Sequence, residues 1–483
     1  MKGKWLSLIV LFCAISLSAL IPPEYASMPL EQHPDLVSGV LENGLKYYIM
    51  YNPKPEKLIE LRLLVDAGSI NEDDDQLGLA HFTEHMCFNG TKNFPRSEMV
   101  EYLSSIGMGF HNGLNGGTGY DWTSYMFKLP TDDEAKLRKG ISILSDIAWQ
   151  VNFDPAEIER ERGVIMEEWR LGQSAQQRVS DQVDLVRMAG SRYAVRNPIG
   201  TQENLKTFQH DSLIRYYRDW YRPDLQTVVI VGDYDPQKLE LLIKEFFGVI
   251  PKRDNPRPKQ SYPVPDHSEP RAVTVTDKEM PYSMVEATWK MDNIPVVDLG
   301  SCYNELKHGL FFTMFNARMS EISNQPNAPF AYAWGYNQSW LKGFGSSRFG
   351  SIAVEGRSED CLQILLTELV RIRQHGFKAG EFERAKLSLI RDAETEVAQS
   401  STQESRTLVN RILYGSLTGG NAILSPEMKE NLIKGMLPEI DISEVNEIVD
   451  DMIKPQNLTI SITGTEKEGR SEEHTSELQS PNT

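Results

Sequence analysis

Apolar runs broken by turn-forming residues divide the chain into strands and helices. Val37–Tyr51 and Leu58–Ala67 read as strands, and Glu42–Asn43–Gly44 inside the first predicts a hairpin turn. Helical spacing follows at Gly78–Phe88, Ser97–Ser105, Asp133–Ile147 and Pro155–Leu171. Gln226–Gly232 is a short uniformly apolar strand, and Pro236–Phe247 is an amphipathic helix. Six prolines at 251, 256, 258, 263, 265 and 270 then exclude a helix or a central strand, so 251–270 reads as an interdomain linker. Beyond it the pattern recurs. Strand-like segments lie at Arg271–Thr276, Ser283–Trp289 and Arg348–Glu355, with helices near Asp298–Asn324 and at Asp360–Gln374 and Ala379–Ala398. Leu458–Thr463 is a late strand that echoes Gln226–Gly232. Each half runs from strands through helices to a final strand, which predicts two related domains at 33–250 and 271–465. Gly343–Gly350 follows no phosphate-binding pattern and reads as a hairpin or loop.

Composition narrows the class. At ~150 residues per domain, 483 residues suggest about three units. A hydrophobic share of 40% excludes a mainly disordered or collagen-like chain. The formal charge of −18 argues against nucleic acid or an anionic membrane as partner, since both need clustered Lys and Arg. Lys2 and Lys4 precede the apolar run Trp5–Leu20, which breaks at Pro22–Pro23. This reads as a signal peptide over 1–24 and predicts export to the periplasm or medium, with membrane association if the leader is uncleaved. After it no apolar run approaches the ~20 residues of a membrane span. Cys87, Cys302 and Cys361 then remain, too few and too far apart for a disulfide framework or a cysteine zinc site. Arg470–Pro481 has no hydrophobic period and resembles a translated sequencing adapter, so 470–483 reads as a non-native tail on a chain expected to continue past about Gly469.

The chemistry concentrates in His81-Phe82-Thr83-Glu84-His85. On a helix, positions i and i+4 share a face and i+3 joins them, so both imidazoles can chelate one ion with a carboxylate aimed at the same spot. Asn89–Gly90 supplies the helix stop. A catalytic zinc takes three protein ligands and keeps one position open. The third should come from the acidic stretch Glu157–Arg170, where spacing leaves Glu157, Glu159, Glu161 and Glu168 all open.

An HxxEH helix followed some seventy residues later by a Glu-rich helix resembles the inverzincin metallopeptidases, the pitrilysin and insulin-degrading enzyme family that includes mitochondrial processing peptidase. The similarity is strongest over 64–95 and 154–171. It implies an α+β fold of two related domains, each an antiparallel sheet packed with helices. It implies His81 and His85 as ligands of one zinc ion, Glu84 as catalytic base, and Glu159 as third ligand with Glu161 the alternative. Asn115, Thr123 and Tyr125 match the family's substrate-facing edge strand, where an added peptide strand would pair. Gly113, Gly116, Gly117 and Gly119 are expected to loosen that strand. The implied function is hydrolysis of peptides or small unfolded proteins, with a further C-terminal half or partner subunit closing a chamber over the site. The competing expectation, a noncatalytic peptide-binding or assembly subunit, fits poorly with an intact His81, Glu84 and His85.

Overall fold

The computed structural model describes residues 26–109, 113–342, 344–417 and 420–465. The expectations for 1–24 and for 470–483 lie outside the described residues. The first half runs β1 Leu36–Val40, β2 Lys46–Tyr51, β3 Leu58–Val65, α1 Leu79–Met86, α2 Arg96–Ser105, β4 Leu114–Thr118 and β5 Thr123–Pro130. It continues through α3 Glu134–Trp149, α4 Pro155–Leu171, α5 Ala175–Arg187, α6 Gln202–Thr207, α7 His210–Trp220, β6 Gln226–Gly232 and α8 Pro236–Phe247. Residues 251–270 hold neither helix nor strand. The second half comprises β7 Arg271–Thr276, β8 Ser283–Met291, α9 Leu299–Ser323, β9 Phe330–Leu341 and β10 Phe344–Ala353. Then come α10 Ser358–His375, α11 Ala379–Gln399, α12 Ser405–Leu417, α13 Pro426–Met436, α14 Ile442–Met452 and β11 Leu458–Gly464.

The two sheets share one topology. The first has strand order β1-β2-β6-β3-β5-β4 and the second β7-β11-β8-β10-β9. With β1 set aside, the initial strand of each half pairs in parallel with the last, which lies beside the second, followed by the fourth and the third. All other pairs are antiparallel, so each half is the expected antiparallel sheet packed with helices, save for that single parallel pair. The expected strand at Val37–Tyr51 is the β1–β2 hairpin, turning at Gly44 with φ of 101°. Phe344–Gly350 lies in strand β10, which pairs antiparallel with β9 from Phe344 opposite Leu341, so this stretch is one arm of the expected hairpin.

Burial explains the run Gln226–Gly232. One face of the first sheet packs on α3 and α8 through Ile49, Leu61, Phe127, Ile141, Leu144, Ile230, Ile243 and Phe247. The opposite face carries Met50, Leu64, Val229 and Val231 against Val409, Ile412 and Leu413 of α12, a helix from the second half. With both faces covered, all seven residues of β6 are buried and the polar alternation of a one-sided strand disappears. The second sheet packs Val285, Ala287 and Phe349 against α9, α10 and α14. Arg178 of α5 joins the halves, bonding Asp277 at 2.8 Å and Glu279 at 2.7 Å. No helix among the described residues is long and apolar enough to cross a membrane.

Candidate metal centre

Helix α1 is only eight residues long, shorter than the ~12–15 residues at which isolated helices become marginally stable, so its surroundings must hold it. Leu79, Ala80, Phe82 and Met86 bury its apolar face, three of them in a cluster with Ile158 and Ile165 of α4 and Leu205, Phe208 and Leu213. Gly78 opens it at φ of 91°, and the buried Glu72 carboxylate accepts the backbone N–H groups of Gly78 at 3.0 Å and Ala80 at 2.8 Å. The polar face then presents His81, Glu84 and His85 together. The two imidazole centroids lie 4.7 Å apart, nearly perpendicular.

The third group is Glu168 of α4. Its Oε1 lies 3.6 Å from Nε2 of His81 and its Oε2 3.3 Å from Nε2 of His85. One donor atom from each of the three falls within 4.8 Å of the others, the one His/Cys/Asp/Glu cluster able to hold an ion among the described residues. Glu161, one heptad earlier on α4, binds the far side of His85, with Oε1 2.8 Å from Nδ1, and accepts Asn89 Nδ2 on Oε2 at 2.8 Å. Nε2 of His85 is thereby turned toward His81 and Glu168. Two imidazole nitrogens and a carboxylate, one imidazole oriented by a second carboxylate, form the mixed nitrogen–oxygen set that suits zinc with an open position.

Glu159, expected as the third ligand, does not reach this point. It projects from another face of α4, half exposed, and accepts Arg162 at 2.9 Å and His210 at 2.7 Å. These hydrogen bonds, that of Arg162 first, hold its pKa down at about 2. Glu157, also open on spacing, pairs with Arg96 and Arg160.

Charge at the centre follows from burial. Glu84 is 7% exposed, and burial pushes its pKa up to about 7 against the pull of His85 and Thr118. Burial and the neighbouring His85 lower His81 to about 4. Burial opposes protonation of His85 too, but Glu161 and Glu168 outweigh it and raise the imidazole to about 10.

These groups open into a cleft of about 1100 Å³ between α1, α4, α5 and the free edge of β4. Asn115 lines it. Thr123 and Tyr125 do not: both are fully buried on β5, the strand inside β4, with Thr123 Oγ1 donating to Ala67 O at 2.9 Å and Tyr125 OH bonded to Cys87 and Tyr221. Alternation along β5 turns 123, 125, 127 and 129 inward together. The cleft instead includes Gly116 and Thr118, neither singled out from the sequence as a site residue. Oγ1 of Thr118 donates to Oε2 of Glu84 at 2.9 Å.

Residues 48–199 match the family described as Insulinase (Peptidase family M16), and 207–389 match Peptidase M16 inactive domain. The chain is 30% identical over 439 residues to the probable zinc protease PqqL of Escherichia coli, covering 91% of this chain and 47% of that protein. It is 26% identical over 470 residues to the probable zinc protease PqqL of Haemophilus influenzae, covering 96% of this chain and 50% of that one. The chain thus spans about half the length of these relatives. Among solved structures, the first half of the periplasmic protease PqqL from Escherichia coli superposes with a TM-score of 0.85 at 29% identity, over 91% of this chain and 93% of that one.

Proposed function

The chain belongs to the insulinase family of peptidases, M16, and from that membership we propose that it is the metal-bearing half of a zinc-dependent endopeptidase acting on peptides or small unfolded proteins. The observation that carries this reading is the convergence of His81, His85 and Glu168 beside the buried Glu84, in a cleft walled by a free strand edge. His81, His85 and Glu168 are the proposed zinc ligands and Glu84 the general base. A zinc ion held there would polarise a peptide carbonyl and lower the pKa of a water toward ~7.

The chain's own residues supply the remainder. Glu84 takes the proton of the attacking water and returns it to the leaving amine. Glu161 keeps His85 in the tautomer that leaves Nε2 free to ligate. Strand β4 ends the sheet, so a substrate can add there as a further strand held by main-chain bonds, with little demand on its sequence. The second half repeats the topology of the first, and the match of 207–389 to Peptidase M16 inactive domain supports reading it as a noncatalytic partner domain.

Export to the periplasm is proposed from the N-terminal leader and from the periplasmic relative. Closure of the cleft by a further half or subunit is proposed from the relatives' double length. Metal analysis of the purified protein beside His85→Ala, with hydrolysis of an unstructured peptide followed in parallel, tests the whole. One zinc per chain, lost with activity in the variant, is the expected result; zinc without hydrolysis would favour a peptide-binding subunit.

A further inference from the structure

Strand β4 reaches the centre from the side opposite α4. Its backbone bonds to β5 fall at alternate residues: Lys128 N donates to Gly113 O at 2.9 Å, and Gly119 N to Trp122 O at 2.8 Å. In an antiparallel ladder the residues between such pairs turn their N–H and C=O groups to the other edge, here Leu114, Gly116 and Thr118. The same alternation puts the side-chain positions of these three on one face, toward α1. At Gly116 that face is bare, and a Cβ would lie 2.2 Å from Oε1 of Glu84. At Thr118 it carries the hydroxyl that holds Oε2. Gly116 N–H, on the free edge, donates to the side chain of Asn115 at 2.9 Å. One oxygen of Glu84 is therefore held by the strand on which a substrate would pair, and the other lies against that strand's bare position.

We infer that Thr118 is the positioning residue for Glu84, and that Gly116 keeps the facing position clear so that a peptide paired at this edge lies directly against the aimed carboxylate. The inference rests on the peptidase reading. A hydroxyl donating to a carboxylate is a charge-assisted bond, stronger than a neutral one and directional. Without it Glu84 retains its charge and burial but not its aim, and misplacement of a base by about 1 Å can cost as much as a hundredfold in rate. The loss should fall on kcat, since Thr118 acts on the base and not on the main-chain bonds that hold the peptide.

The test compares Thr118→Val, Thr118→Ser and Gly116→Ala with the wild-type chain, each loaded with zinc. Hydrolysis of one internally quenched unstructured peptide is measured beside zinc content and thermal unfolding. Thr118→Val is expected to lose about tenfold or more in kcat at little changed KM, with full zinc, and Thr118→Ser to recover most of it. Gly116→Ala is expected to lower kcat with zinc retained. Wild-type kcat in Thr118→Val, a loss confined to KM, loss of zinc, or a serine variant as slow as valine would each overturn the assignment. If the wild-type chain hydrolyses nothing, the peptidase reading of this half fails. The positioning role is then decided by a crystal structure of the zinc-loaded chain: Oγ1 of Thr118 within hydrogen-bond distance of Glu84 supports it, and a carboxylate turned off Thr118 overturns it.

Discussion

Glu161 holds His85 from behind, its Oε1 2.8 Å from Nδ1, while its other oxygen is fixed by Asn89. This carboxylate is 6% exposed and directs the imidazole from outside the cluster of His81, His85 and Glu168. Removing such a supporting partner typically lowers metal affinity about 10–100-fold. Glu161→Gln is therefore expected to weaken zinc binding within that range and Glu168→Gln to weaken it more, both read by competition with a chromophoric chelator. Equal losses would make Glu161 a ligand rather than a support.

Glu159→Gln should leave zinc binding unchanged, because its carboxylate is engaged by Arg162 and His210. Its effect belongs to stability. The folded pKa of about 2 lies below the ordinary carboxylate value, so the stabilisation is present above about pH 4.5 and is lost as pH falls toward 2. The group is half exposed, which keeps the contribution below about 1 kcal/mol. Thermal unfolding should show a small deficit for the variant at pH 7 and none at pH 2. Zinc loss in this variant would restore Glu159 as a ligand.

The contrast between Glu159 and Glu168 shows where the sequence is legible. His81, Glu84 and His85 can be read directly because their geometry lies within one helical turn. The third ligand depends on which face of α4 meets α1, and that is decided by packing through Ile158 and Ile165. Helix arithmetic nevertheless groups the candidates: at 100° per residue, Glu161 and Glu168 lie within about 20° of each other, whereas Glu159 and Glu168 lie about 180° apart. One carboxylate behind His85 and another in front need that heptad pair. Strand alternation likewise separates Asn115 from Thr123 and Tyr125. The family resemblance treats the stretch as one substrate-facing edge, but that edge is β4 alone, and β5 lies inside it. The α12 contact with the first sheet joins residues from about 180 to about 360 positions apart, and no local pattern signals it.

Glu84→Gln is expected to keep zinc and lose peptidase activity by about a hundredfold or more, because the amide preserves shape and the Thr118 contact but cannot accept a proton. Metal content and hydrolysis of an unstructured peptide, measured on one preparation, separate the two properties. Retained turnover would remove Glu84 from the role of base.

The N-terminus of α1 yields the final prediction. Glu72 is fully buried, and its carboxylate bonds the N–H groups of Gly78 and Ala80, where an eight-residue helix begins. Arg192 and Arg196 bond the Glu72 carbonyl, tying the same residue to the segment after α5. Replacing Glu72 by Ala would leave two buried N–H donors without partners, each costing about 1–3 kcal/mol. Both ligands on α1 share its backbone, so part of the metal's binding energy would then go into ordering the helix. Glu72→Ala should lower both the unfolding temperature of the metal-free protein and its zinc affinity. Saturating zinc should recover part of the thermal loss, as linkage requires for a ligand bound by the folded state alone. Glu72→Gln keeps one side-chain acceptor and should lie between the two. A variant that unfolds earlier yet binds zinc as tightly as wild type would show that Glu72 supports the fold without ordering the metal helix.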